Sequence, residues 1–184
     1  MVDVRTSTAG RAIGCLLGVA VLLAPVLFIV GGSIWAMRAS HSAGEAANEL
    51  GLAQGPTHGF DGWYVGQWRG QDVALAATYR MGGAVVGQRS QPYLEVALRA
   101  EGTRVDGTAR WAGADFEGAE LPAALKRRAT AFAREYGDLT VSGDPAAWPF
   151  GPGLIVAHEW PGDIADAAEV EARLEALSAV VSGP

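Results

Sequence analysis

Between Gln71 and Trp111 the apolar positions recur at every second residue. Val73, Leu75, Ala77 and Tyr79 alternate with Ala74, Ala76, Thr78 and Arg80, and Leu94, Val96 and Leu98 alternate with Glu95, Ala97 and Arg99. Val105, Gly107, Ala109 and Trp111 oppose Arg104, Asp106, Thr108 and Arg110. A period of two sends one side of each segment into a core and the other into solvent, which predicts three strands. A fourth lies in GWYVGQWRGQDV, Gly62 to Val73, where RGQD reads as the hairpin turn. Within it Trp63 and Trp68 are an odd number of residues apart, so they face opposite ways unless Gly66 introduces a bulge. Trp68, beside the turn, is expected in the core and Trp63 on the open face. Short connections make this half an antiparallel meander.

The period then becomes helical. Leu121, Leu125, Ala129, Phe132 and Tyr136 form one stripe, with Pro122 suited to the first turn and Gly137 to the stop. DLTVSGDP and GLIVAHEW read as two short strands. A last helix buries Val170, Leu174, Leu177 and Val181; Asp163 or Asp166 caps it, and Glu169 lies three residues after Asp166. Four strands, a helix, two strands and a helix predict an α+β domain over residues 60–184. Its two amphipathic helices cover one face of a mainly antiparallel sheet, and the other face is wet or partnered. YGDLTVSGDP, with the strand and final helix after it, resembles membrane-anchored bacterial domains, a likeness that implies no activity.

Ahead of this domain the alternation disappears. Residues 12–37 contain no charge, and Ser33 is their only hydroxyl. As a helix they run about 39 Å, longer than the roughly 30 Å of a bilayer's hydrocarbon. A single transmembrane helix is predicted. A core helix rarely stays apolar on every face, and a cleavable signal peptide has an apolar core of only about 7 to 15 residues. The segment is therefore expected to remain as a signal anchor. Residues 1–11 form a tail and 38–59 a stalk that ends where Gly55 and Pro56 break the helix. Arg5, Arg11 and the α-amino group precede the span and only Arg38 lies close after it. Cations are retained inside, so the N-terminus is expected in the cytoplasm and the domain outside a bacterial cytoplasmic membrane. Gly10, Gly14 and Gly18 recur every four residues and offer a groove to another membrane protein or a second copy.

Charge narrows the partners. From residue 38 onward 12 cations stand against 19 carboxylates, a net charge of −7 that disfavours nucleic acid. One lysine against thirteen arginines, among many Ala and Gly, reflects the coding bias of a GC-rich bacterial genome. Cys15 is the only cysteine, so no intrachain disulfide forms. Neither a phosphate loop nor a nucleophile elbow occurs, and His41, His58 and His158 lack metal-ligand spacing. No cofactor or metal is expected.

These observations lead to a non-enzymatic, single-pass accessory or assembly protein that contacts partners in a membrane or envelope complex. Trp63, Tyr64, Lys126, Arg127 and Arg134 are its candidate partner surface, the last three from the one basic cluster, whose ordinary reading is a solvated helix face. The lipid bilayer is the other expected partner. Two alternatives remain. One is a membrane-tethered hydrolase using His158 with Asp138 or Asp144, although a hydrogen-bonded strand histidine is the plainer reading. The other is a small-ligand sensor with Trp63, Tyr64 and Trp68 as a stacking surface.

Overall fold

A computed structural model describes residues 30–31, 33–34, 37–58, 61–80, 91–144, 148–162 and 164–182. The chain divides into two compact units, Met1–Trp35 and Ala36–Pro184. In the second, eight strands form one antiparallel sheet: β1 (Ala53–His58), β2 (Asp61–Trp68), β3 (Gln71–Arg80), β4 (Gln91–Ala100), β5 (Thr108–Trp111), β6 (Phe116–Gly118), β7 (Leu139–Ser142) and β8 (Leu154–Pro161). Helix α1 covers residues 37–49, α2 Ala123–Tyr136 and α3 Ala167–Ser182. The strand order is β1-β2-β3-β4-β8-β7-β5-β6. β1 to β4 form a meander, but β5, expected as the last strand of the meander, pairs with β6 and β7 instead. β8 then joins the halves, pairing with β4 on one side and β7 on the other.

This architecture corrects the expected one, six strands and two helices behind a transmembrane span. Among the described residues there are eight strands and three helices, and no helix is long and apolar enough to cross a membrane. Residues 12–29 of the expected span, with Gly14 and Gly18, and the tail residue Gly10 lie outside the described residues.

The extra elements have physical reasons. Residues 38–49, read as stalk, put Ala39, Ala43, Ala46 and Ala47 on one helical stripe, all but solvent-free. Their methyl groups let the helix lie close to the sheet, and at Gly44 an added Cβ would meet the Tyr64 hydroxyl of β2 at 2.7 Å. Ser42 anchors this helix: its Oγ donates to the Ala39 carbonyl and accepts from the Ala165 amide, each at 3.0 Å. β1 forms despite Pro56 because it is an edge strand, and its register shifts between Gln54 and Thr57, where the proline lies. β6 has three residues, too few for a period to register. The strand expected from Arg104 shortens to Thr108–Trp111, after Gly107 at φ 93°.

One face of the sheet carries the main core. Val73, Leu75, Leu94, Val96, Leu98, Leu154 and Val156 meet the stripes Leu125, Ala129, Phe132 of α2 and Val170, Leu174, Leu177, Val180 of α3. Val180, rather than Val181, ends the α3 stripe. All three described helices contribute to this cluster, so none of them lies on the opposite face.

β2 continues into β3 without a bulge, Trp63 pairing with Ala76 and Trp68 with Gln71. The turn between them, Arg69-Gly70, has positive φ at both residues, 51° and 78°. That is the type I′ geometry matching the right-handed strand twist. Arg69 is held there by Trp68, whose ring centroid lies 4.4 Å from the guanidinium, and by Glu171 and Glu175 of α3 at 3.4 and 2.5 Å.

Candidate functional site

On the helix-covered face β8 aims His158 into the core, where it is fully buried. Nδ1 lies 2.6 Å from the Asp138 carbonyl oxygen and Nε2 2.6 Å from Nη1 of Arg173. A carbonyl only accepts and a guanidinium only donates, so Nδ1 carries the proton and Nε2 is the bare acceptor. The ring stacks on Trp160 at 5.4 Å and meets the Phe132 edge at 5.2 Å. Arg173 also pairs with Glu169 at 2.9 Å and lies over the Trp160 and Tyr136 rings at 4.9 and 5.2 Å. Burial, and after it the Arg173 charge, pushes the imidazole down to about 4 against the pull of the Asp138 carbonyl.

His158 is thus a neutral tie between β8, the turn before β7 and α3. Both nitrogens are engaged, so neither faces a reacting group. Asp138 reaches the ring through its backbone, not its carboxylate, and the Asp144 backbone turns back on Ser142, accepting from its Oγ at 3.4 Å and donating to it at 3.1 Å. The described partners of the two ring nitrogens are a backbone carbonyl and a guanidinium, not a carboxylate.

The face opposite the described helices is built by register. Ala74 pairs with Ala97, Ala97 with Ala157, and Ala157 with Thr140, so small side chains align across β3, β4, β8 and β7. A row of methyl groups makes a trench. Trp63 and Val65 of β2, with Trp148 and Phe150 from the segment before β8, pack partly over it. The Trp63 and Trp148 rings are 5.8 Å apart, inclined at 52°. Arg99 holds this segment down, donating to the Pro152 carbonyl at 3.1 Å while pairing with Asp72 of β3 at 2.5 Å.

Two residues along from the trench, Glu95 of β4 directly faces Glu159 of β8, and Thr78 Oγ1 donates to Glu159 at 3.4 Å. Together with Asp138, Thr140, Arg110 and Trp148 these carboxylates line a groove of about 510 Å³. Three carboxylates against one guanidinium leave its described lining net negative. No group of three or more His, Cys, Asp or Glu placed to hold a metal ion occurs among the described residues.

The residues singled out from the sequence scatter over this frame. Trp63 is half-buried on the open face beside Trp148, whereas Tyr64 points the other way and packs against the main core. Trp68 is in that core. The three rings share no stacking surface. Lys126 pairs with Asp115 at 2.9 Å, and this contact holds the Asp115 carboxyl below the usual range. Arg127 and Arg134 are exposed along α2, while Arg128 donates to the Val180 carbonyl near the end of α3 at 2.7 Å. Sequence reasoning missed Glu95, Glu159, Arg110 and Trp148 as a group. Each strand shows which way its own residue points, but only pairing puts them around one groove. Comparison with protein-family models, curated proteins and solved structures finds no match for this chain.

Proposed function

We propose that the chain is a non-enzymatic accessory or assembly protein, held at a bacterial cytoplasmic membrane by its apolar segment, residues 12–37, with the sheet domain outside the cytoplasm. The observation that carries this reading is the face of the sheet opposite the described helices. There Trp63, Trp148 and Phe150 are half-buried beside a polar groove, a concave aromatic-edged surface of the kind that partner proteins cover. His158, the one fully buried titratable side chain among the described residues, is engaged at both nitrogens and supports the fold. Arg127 and Arg134, exposed on α2, are a second place for contact.

Extraction of the full chain in mild detergent, followed by mass measurement and identification of stoichiometric companions, tests the reading. A companion that survives salt washing and is lost with Trp63→Ser is the expected result. A bare monomer from both proteins refutes it.

A further inference from the structure

We infer that the turn carrying Ile164, between β8 and α3, enters the headgroup layer of the bilayer that holds the chain, a lipid contact made by the folded domain itself; this rests on the membrane anchoring proposed above. Among the described residues, the large apolar side chains left exposed are Val30, Ile34, Met37 and Ile164. The first three belong to the apolar segment 12–37. Ile164, 52% exposed, lies far from it in sequence. A lone exposed isoleucine is ordinary on a protein surface, so its place in the fold is the informative fact.

Helix α1 fixes that place. The Ala165 amide donates to Ser42 Oγ at 3.0 Å, and Ser42 is five residues from Met37, about 7.5 Å of helix. On its other side the turn is fastened by the Gly162 amide, which donates to the Pro92 carbonyl at the start of β4 at 3.1 Å. Ile164 therefore projects from a short stretch tied at both ends. Beyond α1, Leu52 packs close to Gly66, near the β2–β3 turn. The chain thus enters α1 at the end of the sheet where β8 finishes and leaves it toward the other end.

As a span, about 39 Å of helix in about 30 Å of hydrocarbon leaves Met37 roughly 4 to 5 Å outside, within a headgroup layer about 5 to 8 Å thick. Ser42, and Ile164 beside it, then lie within about 12 Å of hydrocarbon with α1 along the bilayer normal, and closer with any tilt. An isoleucine projecting from there reaches the headgroups. Asp166 is exposed two residues on, and the chain from residue 38 carries a net charge of −7, so zwitterionic lipid suits this surface and anionic lipid is repelled. Glu101 marks the far end: it is eight residues of chain beyond Tyr93, the partner of Pro161, or roughly 27 Å.

The test uses the full chain in phosphatidylcholine nanodiscs, with the fluorophore NBD on one cysteine at a time. The sites are native Cys15 and, after Cys15→Ser, Ile164→Cys or Glu101→Cys. Phosphatidylcholine spin-labelled near the top of its acyl chain is the quencher. Quenching is expected at Cys15 and at position 164, where it should be at least about twice that at position 101, because the quencher acts only near the headgroup boundary. Quenching at Cys15 with position 164 no more affected than position 101 overturns this inference alone. An unquenched Cys15 overturns the membrane anchoring on which it rests. Quenching at position 164 that needs added phosphatidylserine overturns the assignment to zwitterionic lipid. Should Ile164→Cys fail to fold by near-ultraviolet circular dichroism, the exposed Pro161→Cys carries the label, with the same expected and overturning results.

Discussion

Replacing His158 by glutamine separates its hydrogen bonds from its titration. A glutamine amide offers a donor for the Asp138 carbonyl and an acceptor for Arg173, but it takes up no proton in the accessible range. In the folded protein the imidazole titrates at about 4, against about 6.5 for a free histidine. Between those values the unfolded chain binds a proton that the native state refuses. His158 therefore contributes its full stability above about pH 6.5 and loses about 1.4 kcal/mol per pH unit as the pH falls below that. By pH 4 the loss reaches roughly 3 kcal/mol. The physical cause is visible at Nε2: protonation there removes the acceptor that Arg173 Nη1 donates to and sets two cations 2.6 Å apart.

Glutamine forfeits the stacking on Trp160 and the edge contact with Phe132, a packing loss of roughly 1 to 3 kcal/mol at neutral pH. Urea unfolding of both full-length proteins in detergent, followed by tryptophan fluorescence from pH 7.5 to 4.5, measures the difference directly. Carboxylates titrate in the same window, but they are common to both proteins and cancel. The wild type should be the more stable at pH 7.5, with its advantage shrinking to nothing or reversing by about pH 4.5. An advantage that stays constant across the series would refute the neutral, doubly bonded imidazole.

Substitutions at four further positions probe the frame. At Arg69, with φ 51°, glycine should be tolerated better than alanine by about 1 kcal/mol in thermal unfolding, because a Cβ is strained in this region; the reverse order would contradict the type I′ turn. Ser42→Ala strips the buried Ala165 amide of its acceptor and should cost about 1 to 3 kcal/mol in denaturant unfolding, while an unchanged midpoint would mean that α1 is not anchored there. Gly143→Ala places a Cβ on the Val105 carbonyl oxygen and should prevent accumulation of folded protein, whereas Gly62→Ala meets open space and should leave expression and melting unchanged.

Much of the sheet was legible one strand at a time. Alternation across residues 73–79 and 94–99 assigns faces, and parity alone separates Trp63 from Trp68, because neighbouring residues of a strand point to opposite sides. The stripes of α2 and α3 follow in the same way from 3.6-residue spacing and large apolar side chains. Helix α1 was not legible as core. Alanine gains little on burial and is also the best helix former on a solvated stalk, so Ala39, Ala43, Ala46 and Ala47 carry no signal of which role they have. Only the close approach of Gly44 to Tyr64 decides it.

The groove belongs to the same class of fact. That Glu95 faces outward is a property of its own strand. That it faces Glu159, with Ala97 and Ala157 as a trench alongside, depends on β8 inserting between β4 and β7 in one register out of several. His158 likewise announces its half-apolar face through Leu154, Val156 and Trp160, but its partners come from the turn before β7 and from α3. Local periodicity thus determined which side chains turn inward, because it reflects chain geometry over a few residues. Tertiary pairing decided which of them meet, because register and helix docking are set by the best joint packing of segments distant in sequence.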